Sequence, residues 1–102
     1  MADPLENTIR SITGTEISNR RVQVLVDLEE QHTKPNLAMI LTDAHGNEVS
    51  RSLIMGMIDP HVEFTLHIRV PDAQPPLMLT GITFMEEDQP LDSKSVEVKQ
   101  IA

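Results

Sequence analysis

Between residues 61 and 70, apolar and polar side chains alternate without a break. Val62, Phe64, Leu66, Ile68 and Val70 fall on one parity, and Glu63, Thr65, His67 and Arg69 on the other. Successive side chains of a strand point to opposite faces, so this period of two predicts a half-buried β-strand. On a helix the same apolar residues would be scattered around the circumference. The strand reads as the element against which the rest of the chain packs.

Residues 20–28 repeat the pattern, with Val22, Val24, Val26 and Leu28 alternating with Gln23, Leu25 and Asp27. A polar connection over 29–36, punctuated by Pro35, leads to a short strand over 37–42 that is apolar on both parities. Asp43-Ala44-His45-Gly46-Asn47 fits a type I turn closed by a left-handed glycine, and predicts a hairpin that returns over 48–57. If Asp43 faces Asn47, then Leu41 faces Val49, Met39 faces Arg51 and Leu37 faces Leu53. Arg51 conflicts with an otherwise apolar face. Either a bulge lies near Ser50–Ser52 or Arg51 sits at a sheet edge.

Asp59-Pro60 breaks the chain before the strand over 61–70, and 71–76 is a stiff proline-rich loop. A strand over 77–85 contains Gly81, a candidate bulge or point of close approach. Residues 86–93 read as an acidic loop broken by Pro90, and 94–101 as a last strand with Val96 and Val98 inward. The N-terminal 1–19 segment has three open readings. Asp3-Pro4-Leu5-Glu6 has the form of a helix start, followed by Leu5, Ile9 and Ile12 at i, i+4 and i+7 and stopped by Gly14. A short edge strand within 8–17 and a tail are the other two.

These elements recur with turn signals roughly every ten residues, and the connections are too short for parallel crossovers. The prediction is an all-β chain: a single antiparallel β-sandwich of six or seven strands over 20–102, with a short helix, edge strand or tail over 1–19. One sheet should pair 20–28 with 62–70, the other 37–42 with 48–57, 77–85 and 94–101. Strand lengths and order resemble an immunoglobulin-like or fibronectin-type-III-like sandwich. The resemblance is of architecture. The Cys…Trp…Cys set and the tyrosine corner of true immunoglobulin domains are absent, so it carries no functional residues.

Composition narrows the function classes. The 102 residues suffice for one domain and contain no Cys, which removes disulfides, cysteine–zinc sites and thiol chemistry. Residues 1–6 do not read as a secretory signal, and no apolar run approaches the roughly 18 residues of a membrane span, so a cytoplasmic chain without a membrane partner is expected. Net charge is −8, with 16 carboxylates against eight scattered Lys and Arg. The Arg20-Arg21 pair is too small a basic patch for nucleic acid, and two Phe with no Trp or Tyr leave no stacking platform.

Candidate chemistry is sparse. His61 and Glu63 share a strand face roughly 7 Å apart, and His67 lies farther along it, but zinc wants three or four ligands. Glu86, Glu87, Asp88 and Asp92 gather carboxylates on one loop, where calcium wants six to eight oxygens. Both are weak metal candidates beside the simpler reading of solvated polar surface, and no cofactor is expected. No Gly-rich phosphate loop or nucleophile elbow occurs, so no enzyme is predicted. The unusual feature is the two-sided apolar hairpin over 37–57. By parity, Ala38, Ile40 and Ile54 fall on the face away from the core and, with Met57, make the candidate interaction surface. Either something covers it, or a bulge at Gly56 switches faces and these residues fill both a core and a sheet end. The expected function is therefore protein interaction or self-association, as in a homodimer. The alternative class is a metal- or small-ligand-binding β-sandwich.

Overall fold

The computed structural model of the chain describes residues 8–18, 20–29, 34–70, 73–86 and 88–100. Among these residues eight strands follow in order: β1 (Ile9–Ser18), β2 (Arg21–Leu28), β3 (Asn36–Thr42), β4 (Glu48–Ile54), β5 (His61–His67), β6 (Met78–Glu86), β7 (Gln89–Glu97) and β8 (Lys99–Gln100). They form two four-stranded sheets, in the orders β5-β2-β1-β8 and β4-β3-β6-β7. All pairings are antiparallel except that of β8, which runs parallel to β1. This is the all-β sandwich that the alternation predicts, with β2 and β5 in one sheet and β3, β4, β6 and β7 in the other as expected.

The core lies between the sheets. Val22, Val24, Val26 and Leu28 of β2 meet Leu37, Met39 and Leu41 of β3 and Leu79 of β6, all essentially excluded from solvent. The strand over 61–70 is not the centre. β5 is an edge strand: Leu66 and Ile68 are buried, but Val62 and Phe64 only flank the core. β2, flanked on both sides, takes the central role. After His67 the chain leaves the first sheet. The Ile68 amide donates to the Arg20 carbonyl at 2.8 Å and the Arg69 amide to the Val49 carbonyl at 3.2 Å.

The segment over 9–18 forms neither the helix nor the tail considered for it, and β1 is not an edge, since β2 and β8 flank it. Residues 1–7, including Asp3 to Glu6, lie outside the described residues. The helix signal had a physical source. A register shift between Ile9 and Ser11 lets Ile9 and Ile12, three apart, both face the core. Gly14 is a point of close approach rather than a stop: a Cβ there would sit 3.0 Å from Leu79 Cδ2. Gly81 answers it from the other sheet, where a Cβ would lie 2.7 Å from Ile12 Cδ1. Two glycines thus let the sheets pack closely where β1 passes over β6.

The acidic loop over 86–93 is instead mostly strand. β6 and β7 form a tight hairpin, and β7 begins at Gln89, five residues before the predicted 94. Pro90 is accommodated because β7 is an edge strand and the register shifts beside Phe84. The predicted last strand is divided. Lys94 to Glu97 stay with β6, while Lys99 and Gln100 cross to β1, leaving Val98 buried between the sheets. Among the described residues, no helix is long and apolar enough to cross a membrane.

Candidate functional site

The β3–β4 hairpin has the predicted turn. The Gly46 amide donates to the Asp43 carbonyl at 3.0 Å, the Asp43 amide donates to Asn47 O at 2.9 Å, and Gly46 takes φ +82°. A residue with a side chain is strained there, which explains the glycine. Asp43 Oδ1 accepts from the amides of His45 (2.9 Å) and Asn47 (3.0 Å). Hydrogen bonding, first from the Asn47 amide, holds the Asp43 carboxyl below its usual range.

The register beyond the turn differs from the simple alignment. Thr42 faces Glu48 but Leu41 faces Ser50, so Val49 is an extra residue in β4. Val49 and Ser50 are consequently both buried, and every later side chain of β4 changes face. Ile40 now faces Arg51, Ala38 faces Leu53 and Leu37 faces Ile54. This resolves the Arg51 conflict: a bulge and an edge position both apply. It also redistributes the predicted outer set. Ala38 and Ile40 stay on the outer face, half-buried, whereas Ile54 packs against the core and Met57 is buried in it. Leu53, expected inward, points outward and is 53% exposed.

The outer face of β4-β3-β6 therefore carries a shallow groove lined by Ala38, Ile40, Arg51, Leu53, Ile82 and Phe84. Leu53, Ile82 and Phe84 escaped sequence reasoning. The signal that could have found Leu53 was Arg51 itself, because a bulge before it moves Leu53 outward. Arg51 borders the apolar surface and is held by Glu48, with Nη2 2.6 Å and Nε 3.0 Å from Oε1. That hydrogen bond depresses the Glu48 carboxyl and raises the Arg51 guanidinium. Toward β7 the face turns polar, with the Thr80 and Ser95 hydroxyls 2.8 Å apart. Beyond the end of β4, Met55 and Ile58 are further exposed apolar residues.

The outer face of β5-β2-β1 is different in kind. His61 Nδ1 lies 3.2 Å from Asp27 Oδ1, and Gln23 donates to Glu63 Oε1 at 2.5 Å. Arg10 is 2.8 Å from Glu29 and 3.7 Å from Asp27, and its hydrogen bond is the main cause holding Glu29 below the usual carboxylate range. His67 stands opposite Arg21, away from His61 and Glu63. Asp92 is drawn from the β6–β7 turn to accept from the Ile9 amide at 2.8 Å, while Glu86 and Asp88 are exposed; Glu87 lies outside the described residues. Among the described residues, no three His, Asp or Glu side chains converge as metal ligands would.

No protein-family model matches the chain, and no curated protein matches it in sequence. The chain is similar in fold to several solved structures. One is a β-D-glucuronidase from Dictyoglomus thermophilum, with a TM-score of 0.52 and 19% identity over 91% of this chain and 15% of that one. Another is β-glucuronidase from Ruminococcus gnavus in complex with C6-substituted uronic isofagomine, with a TM-score of 0.54 and 13% identity over 91% of this chain and 16% of that one. The chain spans about one-sixth of each. At such identities the likeness is one of fold: the chain is a β-sandwich similar to a minor part of much longer proteins.

Proposed function

We propose that this chain is a non-catalytic, cytoplasmic protein-interaction module that binds through the outer face of β4-β3-β6. The observation that carries the reading is the contiguity of Leu53, Ile40, Ala38, Ile82 and Phe84 around one groove. Isolated apolar residues on a surface are ordinary, but a contiguous apolar face on a sheet is usually covered. The strand order supports an immunoglobulin-like build, with β5, β2, β1 and the short β8 in one sheet and β4, β3, β6 and β7 in the other, although the marker residues of that family are missing.

A second copy of the chain is the occupant that fits first. Two such faces stacked about a twofold axis would bury Leu53 and Ile82 of both copies, leaving the Glu48–Arg51 pairs at the rim where water still reaches them. Sedimentation velocity over a range of concentrations tests this. The parent should sediment above monomer mass at high concentration, and a Leu53→Glu, Ile82→Lys variant should remain monomeric with its β-sheet spectrum intact. Identical monomeric sedimentation of parent and variant at every concentration would exclude self-association through this face.

A further inference from the structure

The fold assembles a basic cluster from two distant segments. Arg20 and Arg21 end the β1–β2 connection, and His67 and Arg69 lie where β5 leaves its sheet. Arg21 is the register partner of His67, and the hydrogen bond from the Ile68 amide to the Arg20 carbonyl ties the two backbones together. Arg20, Arg21, His67 and Arg69 line one open groove with Ile68, whose side chain is buried.

Two observations set this cluster apart from ordinary solvated surface. The first is that, among the described residues, no carboxylate lines this groove, in a chain that has 16. Arg10 and Arg51 each pair with acidic side chains, but among the described residues Arg20, Arg21 and Arg69 have no ion-pair partner. Glu16 lines a neighbouring hollow with Arg20 without pairing to it. Arg21 donates its Nε to Ser18 Oγ at 2.9 Å. Cations held side by side repel one another, and a bound anion relieves that repulsion.

The second is the Arg20 backbone, at φ +76°. This left-handed conformation disfavours a residue with a Cβ, and glycine would occupy it with less strain. Stability alone therefore selects against arginine at this position. Strained, non-glycine positions concentrate where a side chain has a task.

We infer that Arg20, Arg21, His67 and Arg69 form a binding site for a tetrahedral oxyanion, either free phosphate or the phosphate group of a monoester. Three guanidiniums and an imidazole exceed what one carboxylate can engage. They match a dianion with several acceptor oxygens, to which guanidinium forks bind by paired hydrogen bonds.

Amide NMR titration of the full chain with inorganic phosphate, and separately with glycerol phosphate, tests the site at constant ionic strength maintained with chloride. Saturable shifts confined to the amides of 20–21 and 67–69 are expected. Tighter binding of glycerol phosphate assigns the site to an esterified ligand, and equal binding to the free ion. Arg20→Gly separates binding from folding: it should melt no lower than the parent yet bind phosphate about tenfold more weakly, the loss of one charge-assisted hydrogen bond. Arg69→Gln, without a backbone change, should weaken binding by a similar factor. The site is refuted by shifts that do not saturate, by equal shifts with chloride alone, or by parental affinity in both variants.

Discussion

The two sheets bury the same kind of face inward and present opposite faces outward. On β5-β2-β1 the outer positions are charged or polar and paired with one another, as in His61 with Asp27 and Gln23 with Glu63. Leu25 stands there among polar neighbours. On β4-β3-β6 the outer residues Ala38, Ile40, Leu53, Ile82 and Phe84 line one apolar groove, with the Glu48–Arg51 ion pair at its margin and Thr80 on the polar side toward β7. Both faces rest on the same core, so the difference cannot come from the needs of folding. One face pairs its polar groups, whereas the other carries the apolar groove on which the proposed interaction rests.

That contrast is open to attack by mutation. The largest effects should come from the shared core. Leu79→Ala and Leu66→Ala are each expected to cost about 2–5 kcal/mol in urea unfolding. Phe64→Ala should cost less than Leu66→Ala, although it removes more atoms, because Phe64 lies half-buried on an edge strand. Equal losses would place β5 deeper in the fold than its edge position allows.

A neighbouring pair of substitutions addresses the bulge that separates the two faces of β4. Ile54→Glu directs a carboxylate toward the core and should destabilise by about 1–3 kcal/mol. Leu53→Glu, one residue earlier, should change unfolding free energy by less than about 0.5 kcal/mol. The reverse ranking would mean that β4 pairs with β3 without an extra residue at Val49. The turn that sets this register should be nearly as sensitive. Gly46→Val is expected to lose more than about 1 kcal/mol, because its Cβ is strained at positive φ.

The smallest effect is a pH dependence. Asp43 has a lowered folded pKa, so its carboxylate stabilises the turn at neutral pH, and that contribution is lost as pH falls through the folded value. The difference in melting temperature between the parent and Asp43→Ala should therefore be widest near neutrality and narrow on acidification. A difference that stays constant with pH would mean that the Asp43 charge contributes nothing to the turn.

Much of this fold is legible in local pattern. Alternation at period two marks β2, β3 and β5, and the Asp43…Gly46 spacing marks the hairpin turn, because each depends on neighbouring residues alone. The sequence determined that the chain is all-β, how most strands divide between two sheets, and that the β3–β4 hairpin carries more apolar surface than one core can take. Which residues hold that surplus was decided only in the tertiary structure. One extra residue, Val49, reverses the parity of everything after it in β4, sending Ile54 inward and Leu53 outward. A similar shift gives β1 the spacing of a helix. The arginine cluster lies further still from local reading. Arg20 and Arg69 meet because β2 pairs with β5, and no pattern within either segment encodes the charge that the other brings.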